Sequence, residues 1–140
     1  MNKVAIIYWS ATGNTEIMAN CIAEGAGAGG TILSCADVTP AALEGYHVLA
    51  FGCPAMGAEQ LEESEFEPMF SSVEGCLNGR KVALFGSYGW GDGQWMRDWC
   101  DRVKGDGAVL FQEEGLICNE TPDSDVQDAC RKLGADLAAW

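Results

Sequence analysis

Residues 10–15 read Ser10-Ala11-Thr12-Gly13-Asn14-Thr15, directly after an apolar run and directly before a helical pattern. Backbone N–H groups and several hydroxyl and amide side chains therefore converge at the positive end of a helix, which is the chemistry of a phosphate cradle. The loop contains no lysine, so it is not a Walker A loop, and it lacks the G-x-G-x-x-G of a dinucleotide pyrophosphate site. A terminal monophosphate held by neutral donors fits, provided the donors are numerous and preorganised, since each bond must offset desolvation. The plainer reading of the same residues is a Ser/Thr-rich helix cap.

The elements that must position this loop are legible as patterns. Continuous apolar runs at 4–9, 47–52 and 81–86, a weaker one at 31–35 and one split across 108–111 and 116–118 predict strands buried on both faces, as in a parallel sheet. Between them, Ile17, Met18, Cys21 and Ile22 form one helical face behind an Asn14/Thr15 cap, and Trp95, Met96, Trp99 and Val103 form another. Val126, Ala129, Cys130, Leu133 and Leu137 form a third. Alternating strands and helices predict an α/β fold: a single domain over 1–140, with a doubly wound parallel sheet of about five strands and helices on both faces.

Ligands of such folds bind outside the carboxyl ends of the strands, which singles out the loops 10–15, 53–63 and 87–93. The second contains Cys53-Pro54-Ala55-Met56-Gly57-Ala58-Glu59 and the third is Ser87-Tyr88-Gly89-Trp90-Gly91-Asp92-Gly93. Singly, each is a turn with an apolar residue tucked inward. Together, Met56 and Trp90 frame a slot for a planar ring beside the cradle. A phosphate at one end and a flat ring at the other match the shape of flavin mononucleotide (FMN).

Eight Lys and Arg against 21 Asp and Glu give 140 residues a formal charge of −13 with 48% hydrophobic content. That composition describes a folded acidic domain, repelled by nucleic acid and by anionic membrane surfaces, whose protein partners carry basic faces. Residues 1–3 run into the first strand without a signal-peptide profile and no apolar run reaches membrane-spanning length, so a cytoplasmic location is expected. The seven cysteines form no C-x-x-C and sit mostly among apolar neighbours, which reads as free buried thiols rather than a metal site. His47, the one histidine, opens an apolar strand and reads as structural.

Three runs, Tyr8-Trp9-Ser10-Ala11-Thr12-Gly13-Asn14-Thr15-Glu16, Gly52-Cys53-Pro54-Ala55-Met56-Gly57 and Leu84-Phe85-Gly86-Ser87-Tyr88-Gly89-Trp90-Gly91, resemble those of the short-chain flavodoxins of anaerobic (clostridial-type) bacteria, and the likeness covers nearly the whole chain. The resemblance implies a flavodoxin-like sheet order 2-1-3-4-5 and a low-potential one-electron carrier, not an enzyme, with noncovalently bound FMN shuttling mainly between semiquinone and hydroquinone. By that likeness Ser10, Thr12, Asn14 and Thr15 hold the phosphate with the amides of Ala11 and Gly13. Met56 and Trp90 sandwich the ring, Glu59 accepts from its N3–H, and Asn119 lies near the ribityl chain or ring edge. Pro54, Ala55, Gly57, Ala58, Ser87, Tyr88 and Gly89 complete the cofactor loops. It also implies a monomer and, as partners, flavodoxin- or ferredoxin-dependent oxidoreductases.

Position 58, often Asp or Ser in such proteins, is Ala58, and the first helix ends in a glycine-rich stretch. Gly57, free to visit positive φ, lets the 57–58 peptide turn a carbonyl toward an N5–H created on reduction, a bond of net ~1 kcal/mol. The carboxylates Glu59, Glu62, Glu63, Glu65 and Glu67 are expected to steer basic partners to the ring edge, besides forming a solvated helix face. An FMN-dependent quinone or nitro-compound reductase on the same fold is the alternative, but the chain has no insertion to build a substrate pocket. A receiver-type signalling domain would need an acidic cluster at the strand ends, where Trp9-Ser10 and Gly52-Cys53 stand instead.

Overall fold

The apolar runs become strands in the computed structural model, which describes residues 1–140. β1 (Val4–Tyr8), β3 (Val48–Gly52) and β4 (Lys81–Tyr88) form the centre of the sheet, and all five residues of β3 are buried. β2 (Gly30–Leu33) lies at one edge beside β1. The fifth position is shared by β5 (Val109–Leu110) and β6 (Leu116–Asn119), each pairing parallel with β4. The order is thus 2-1-3-4-5, with the last place divided as the split apolar run predicts. Gln112 (φ 55°) and Glu113 (φ 60°) turn the chain between the two halves.

Successive strand residues point to opposite sides and feed two cores. Ala5, Ile7, Leu49, Phe51, Val82 and Leu84 face α3 (Phe66–Val73) and α4 (Gln94–Gly105), with Leu43 of the short α2 (Pro40–Leu43) in the same core. Val4, Ile6, Val48, Ala50, Ala83 and Phe85 face α1 (Asn14–Ala26) and α5 (Ser124–Ala139). In the first core Phe51, Phe66, Phe70 and Trp99 pack with ring centroids 5.1 to 6.0 Å apart, mostly edge to face. Edge-to-face packing adds about 1 kcal/mol per pair to area burial.

Two local expectations are revised. Asn14 and Thr15 do not cap α1: the cap position is Gly13, and both residues lie in the first turn. On α5, Ala129 is exposed and the helix instead seats Gly134 and Ala138. The glycine-rich end of α1 has a packing role, because a Cβ at Gly25 would overlap the Arg131 carbonyl and one at Gly134 would overlap that of Ile22. These two glycines let α1 and α5 approach backbone to backbone. His47 is structural as expected, its Nδ1 accepting the Lys3 N–H at 2.8 Å. No helix is long and apolar enough to cross a membrane.

Strand register brings the loops level. Tyr8 pairs with Gly52 and Gly52 with Phe85, while Ser87 and Tyr88 pair with Cys118 and Asn119. The segments after β1, β3, β4 and β6 therefore leave the sheet side by side.

Candidate functional site

The loop after β1 is built around two turns of hydrogen bonding. Gly13 has φ 97°, a value that favours glycine, and it turns the chain into α1, whose first backbone bond runs from Ile17 N–H to the Gly13 carbonyl at 3.0 Å. Ser10 Oγ accepts the N–H groups of Gly13 at 3.2 Å and Glu16 at 3.3 Å, which leaves its own proton for a ligand. Thr15, fully buried, shares a 2.9 Å bond with the Ser87 hydroxyl and also accepts the Ser87 N–H at 3.3 Å. Only one of the two hydroxyl protons is used between them, so the other remains free to donate.

A cleft of about 190 Å³ opens here. Ser10, Ala11, Thr12, Asn14 and Thr15 line one end and Pro54, Ala55, Met56, Ser87, Tyr88 and Gly89 the walls, with no Lys or Arg among them. Gly13, Gly57, Ala58, Glu59, Trp90 and Asn119 are not in the lining; they lie on the same loops and at the end of β6. Glu120 also lines the cleft, a residue to which none of the loop patterns points. It holds φ 59° and donates its N–H to the Tyr88 carbonyl at 2.7 Å. Its place next to Asn119 was the available signal.

A groove of about 1000 Å³ lies on the other side of Ser10, between the end of β2 and α3. It is larger, but of the 10–15 loop only Ser10 lines it, whereas the smaller cleft gathers Ser10, Ala11, Thr12, Asn14 and Thr15 at the start of α1.

The loop after β3 is a closed turn. Met56 and Gln60 exchange two backbone bonds, 2.8 and 3.0 Å, around Gly57 (φ 48°), Ala58 and Glu59 (φ 57°). Glu59 Oε1 is buried and has no hydrogen-bond partner. It packs against Gly91, where a Cβ would overlap the carboxylate. Trp90, one residue earlier, is 67% exposed, a large aromatic face open to a ligand.

The run of carboxylates divides by role. Glu62 is buried and accepts N–H bonds from Ser64, Glu65 and Phe66, with a further bond from the Ser64 hydroxyl, so it anchors the start of α3. Burial alone would raise its pKa, but the Ser64 hydroxyl and the three amides outweigh that and hold it at about 2. Glu67 is held low by Arg102, which clamps it at 2.7 Å and bonds Glu74 at 2.8 Å. Neither is a free steering charge, while Glu63 and Glu65 are exposed. Burial raises the Cys53 thiol to about 12 and the Cys35 thiol to about 11, so neither is a nucleophile at neutral pH.

The flavodoxin family model matches residues 6–133. The chain is 47% identical over 136 residues to a flavodoxin of Clostridium beijerinckii, covering 95% of this chain and 97% of that one. It is 44% identical over 138 residues to a flavodoxin of Megasphaera elsdenii, covering 96% and 98%. The solution structure of two-electron reduced Megasphaera elsdenii flavodoxin superposes with a TM-score of 0.87 at 43% identity, over 98% of this chain and 99% of that one.

Proposed function

The chain belongs to the flavodoxin family of FMN-binding electron carriers, and we propose that its FMN occupies the cleft at the carboxyl ends of β1, β3 and β4, with residues 1–140 acting as one FMN-binding domain. Bound there, FMN supplies a ring that takes up and releases electrons singly.

The residues fit such a ligand at both ends. At the cradle, the free hydroxyl proton of the Thr15–Ser87 pair, the Ser10 hydroxyl, Thr12, Asn14 and the amides of Ala11 and Gly13 hold the phosphate. Outside the cleft lining, tucked against Gly91 on the 53–63 loop, Glu59 Oε1 is a buried acceptor lacking a donor, which the ring N3–H would satisfy on reaching that loop. The spare hydroxyl protons of Ser10 and of the Thr15–Ser87 pair in the lining of the cleft are the observation that carries the reading, and the unpartnered Glu59 oxygen, which costs about 1–3 kcal/mol if left unmet, supports it. Met56 and Trp90 cover the two faces of the ring, Pro54, Ala55, Gly57, Ala58, Tyr88 and Gly89 shape the walls, and Asn119 stands at the ribityl side. Glu120 joins this set from the lining of the cleft.

Electron carriers of this family exchange electrons with redox partners. We infer that those of this chain present basic faces, attracted by the −13 charge and by the exposed carboxylates Glu63 and Glu65. The working couple is proposed to be the lower of the two one-electron steps, since apolar walls and an acidic surface disfavour added negative charge. A monomeric, cytoplasmic protein fits the same reading, and the reductase alternative is not favoured.

The test is titration of the flavin-free protein with FMN and with riboflavin. One equivalent of FMN, bound far more tightly than riboflavin, is expected; equal affinity for both would remove the phosphate assignment.

A further inference from the structure

The two ring-facing loops are joined directly, Ala55 donating its N–H to the Ser87 carbonyl at 3.0 Å, and again through Cys53, which lies outside the cleft lining. Cys53, fully buried after β3, donates its N–H to the Phe85 carbonyl at 3.1 Å. Its carbonyl accepts the Trp95 indole N–H at 3.1 Å, and its sulfur accepts the N–H of Glu62 at 3.4 Å. The start and the end of the 53–62 segment are thus tied to one residue. Between them the Met56–Gln60 exchange leaves Gly57, Ala58 and Glu59 as the stretch without backbone hydrogen bonds.

Trp95 belongs to the first turn of α4, just behind the Trp90 loop, and its ring packs against Tyr88 at 5.5 Å, ahead of that loop. Gly86 has no space for a Cβ, which would overlap the Cys53 carbonyl and come within 3.2 Å of the Trp95 ring. The indole, the carbonyl and the backbone at 86 therefore form one packed junction between the two loops.

We propose that Trp95 is a positioning residue for electron transfer: its indole N–H, through the Cys53 carbonyl, fixes the Gly57–Glu59 turn against the Trp90 loop and thereby sets the one-electron potentials of the bound FMN. The proposal rests on the cofactor placement given above. Without the indole donor the buried carbonyl is unsatisfied, and the segment shifts to find another partner. The arrangement of Gly57–Glu59 that answers the first electron is then less populated, so the first potential falls.

Trp99, on the same helix, supplies the control, since its buried indole Nε1 has no partner. The experiment compares Trp95→Phe, a site-specific replacement of Trp95 by benzothienylalanine, which keeps the shape and removes the N–H, and Trp99→Phe. In the FMN-loaded proteins both position-95 variants should lower the first one-electron potential, with a tenfold weakening corresponding to ~59 mV, while Trp99→Phe leaves both potentials unchanged. In the flavin-free proteins, amide exchange at Met56, Gln60 and Glu62 should accelerate at least tenfold for the position-95 variants only. Wild-type potentials in the benzothienylalanine protein with FMN bound would overturn the proposal, including where Trp95→Phe does not fold. Failure of the wild-type protein to bind FMN would instead remove the cofactor placement, and amide exchange would still decide the coupling.

Discussion

Thr15 and Ser87, 72 positions apart, join through a buried 2.9 Å hydroxyl pair that ties the start of α1 to the end of β4. The loop that would hold the phosphate and the loop that carries Trp90 are thereby fixed to each other before any ligand arrives. A hydroxyl in such a pair has two duties, one toward its partner and one toward the cleft.

Removing it should therefore show in two measurements. Thr12→Ala with Thr15→Ala is expected to weaken FMN far more than riboflavin, because only FMN carries the phosphate. Thr15→Ala alone should also lower unfolding stability by about 1–3 kcal/mol, the cost of stranding the buried Ser87 groups. Equal losses for the two flavins in titration would contradict the first part, and an unchanged denaturant midpoint the second.

Gly57 sits at φ 48° with open space where a Cβ would be, so a side chain there meets backbone strain and no clash. Gly57→Thr should cost roughly 1–3 kcal/mol in the turn. The first one-electron potential is expected to fall, with a smaller change in the affinity for oxidised FMN. Potentiometric titration checks this, alongside Ala58→Gly, which should raise the first potential if residue 58 takes the strained φ on reduction.

At the α1–α5 contact, Gly134→Ala drives a methyl into the Ile22 carbonyl and the Ala26 amide. Overpacking against backbone should cost about 1–3 kcal/mol and lower Tm. Since the contact lies along α1 from the cradle, FMN affinity at low temperature should change little. A stability equal to wild type in thermal unfolding would mean that the helices separate without cost.

Glu62 predicts a pH dependence with a definite sign. Its folded pKa of about 2 lies below the ordinary carboxylate value, so its contribution is complete above about pH 4.5 and is lost as pH falls toward 2. That contribution is on the order of 3 kcal/mol. Glu62→Gln should be less stable than wild type at pH 7, with the two converging near pH 2 to 3. Parallel stability curves across that range would exclude the anchoring role at α3.

What sequence revealed and what it hid follow from range. Val4 to Tyr8 or Val48 to Gly52 announce a doubly covered strand because every residue must be apolar, and Ser10 to Thr15 announce a donor-rich turn because the donors are adjacent. Gly25 and Gly134 are uninformative until α1 and α5 are placed against each other. Glu62 looks like its neighbours Glu63 and Glu65, and only the fold aims it at three amides. Glu120 escaped because a positive φ at a non-glycine residue leaves no mark in composition. Trp95 was legible as core, while its tie to Cys53 was not, since 42 residues separate the partners.

The absence of any cation from the lining of the cleft makes ionic strength act in opposite directions on loading and on delivery. A phosphate dianion approaching neutral donors inside a protein of charge −13 meets net repulsion, and added salt screens it. Association of FMN should therefore strengthen as salt rises, the reverse of a lysine-lined phosphate site. Docking of a basic redox partner to the same acidic surface weakens under the same change. Dilute buffer favours rapid exchange with partners, and concentrated buffer favours retention of the cofactor.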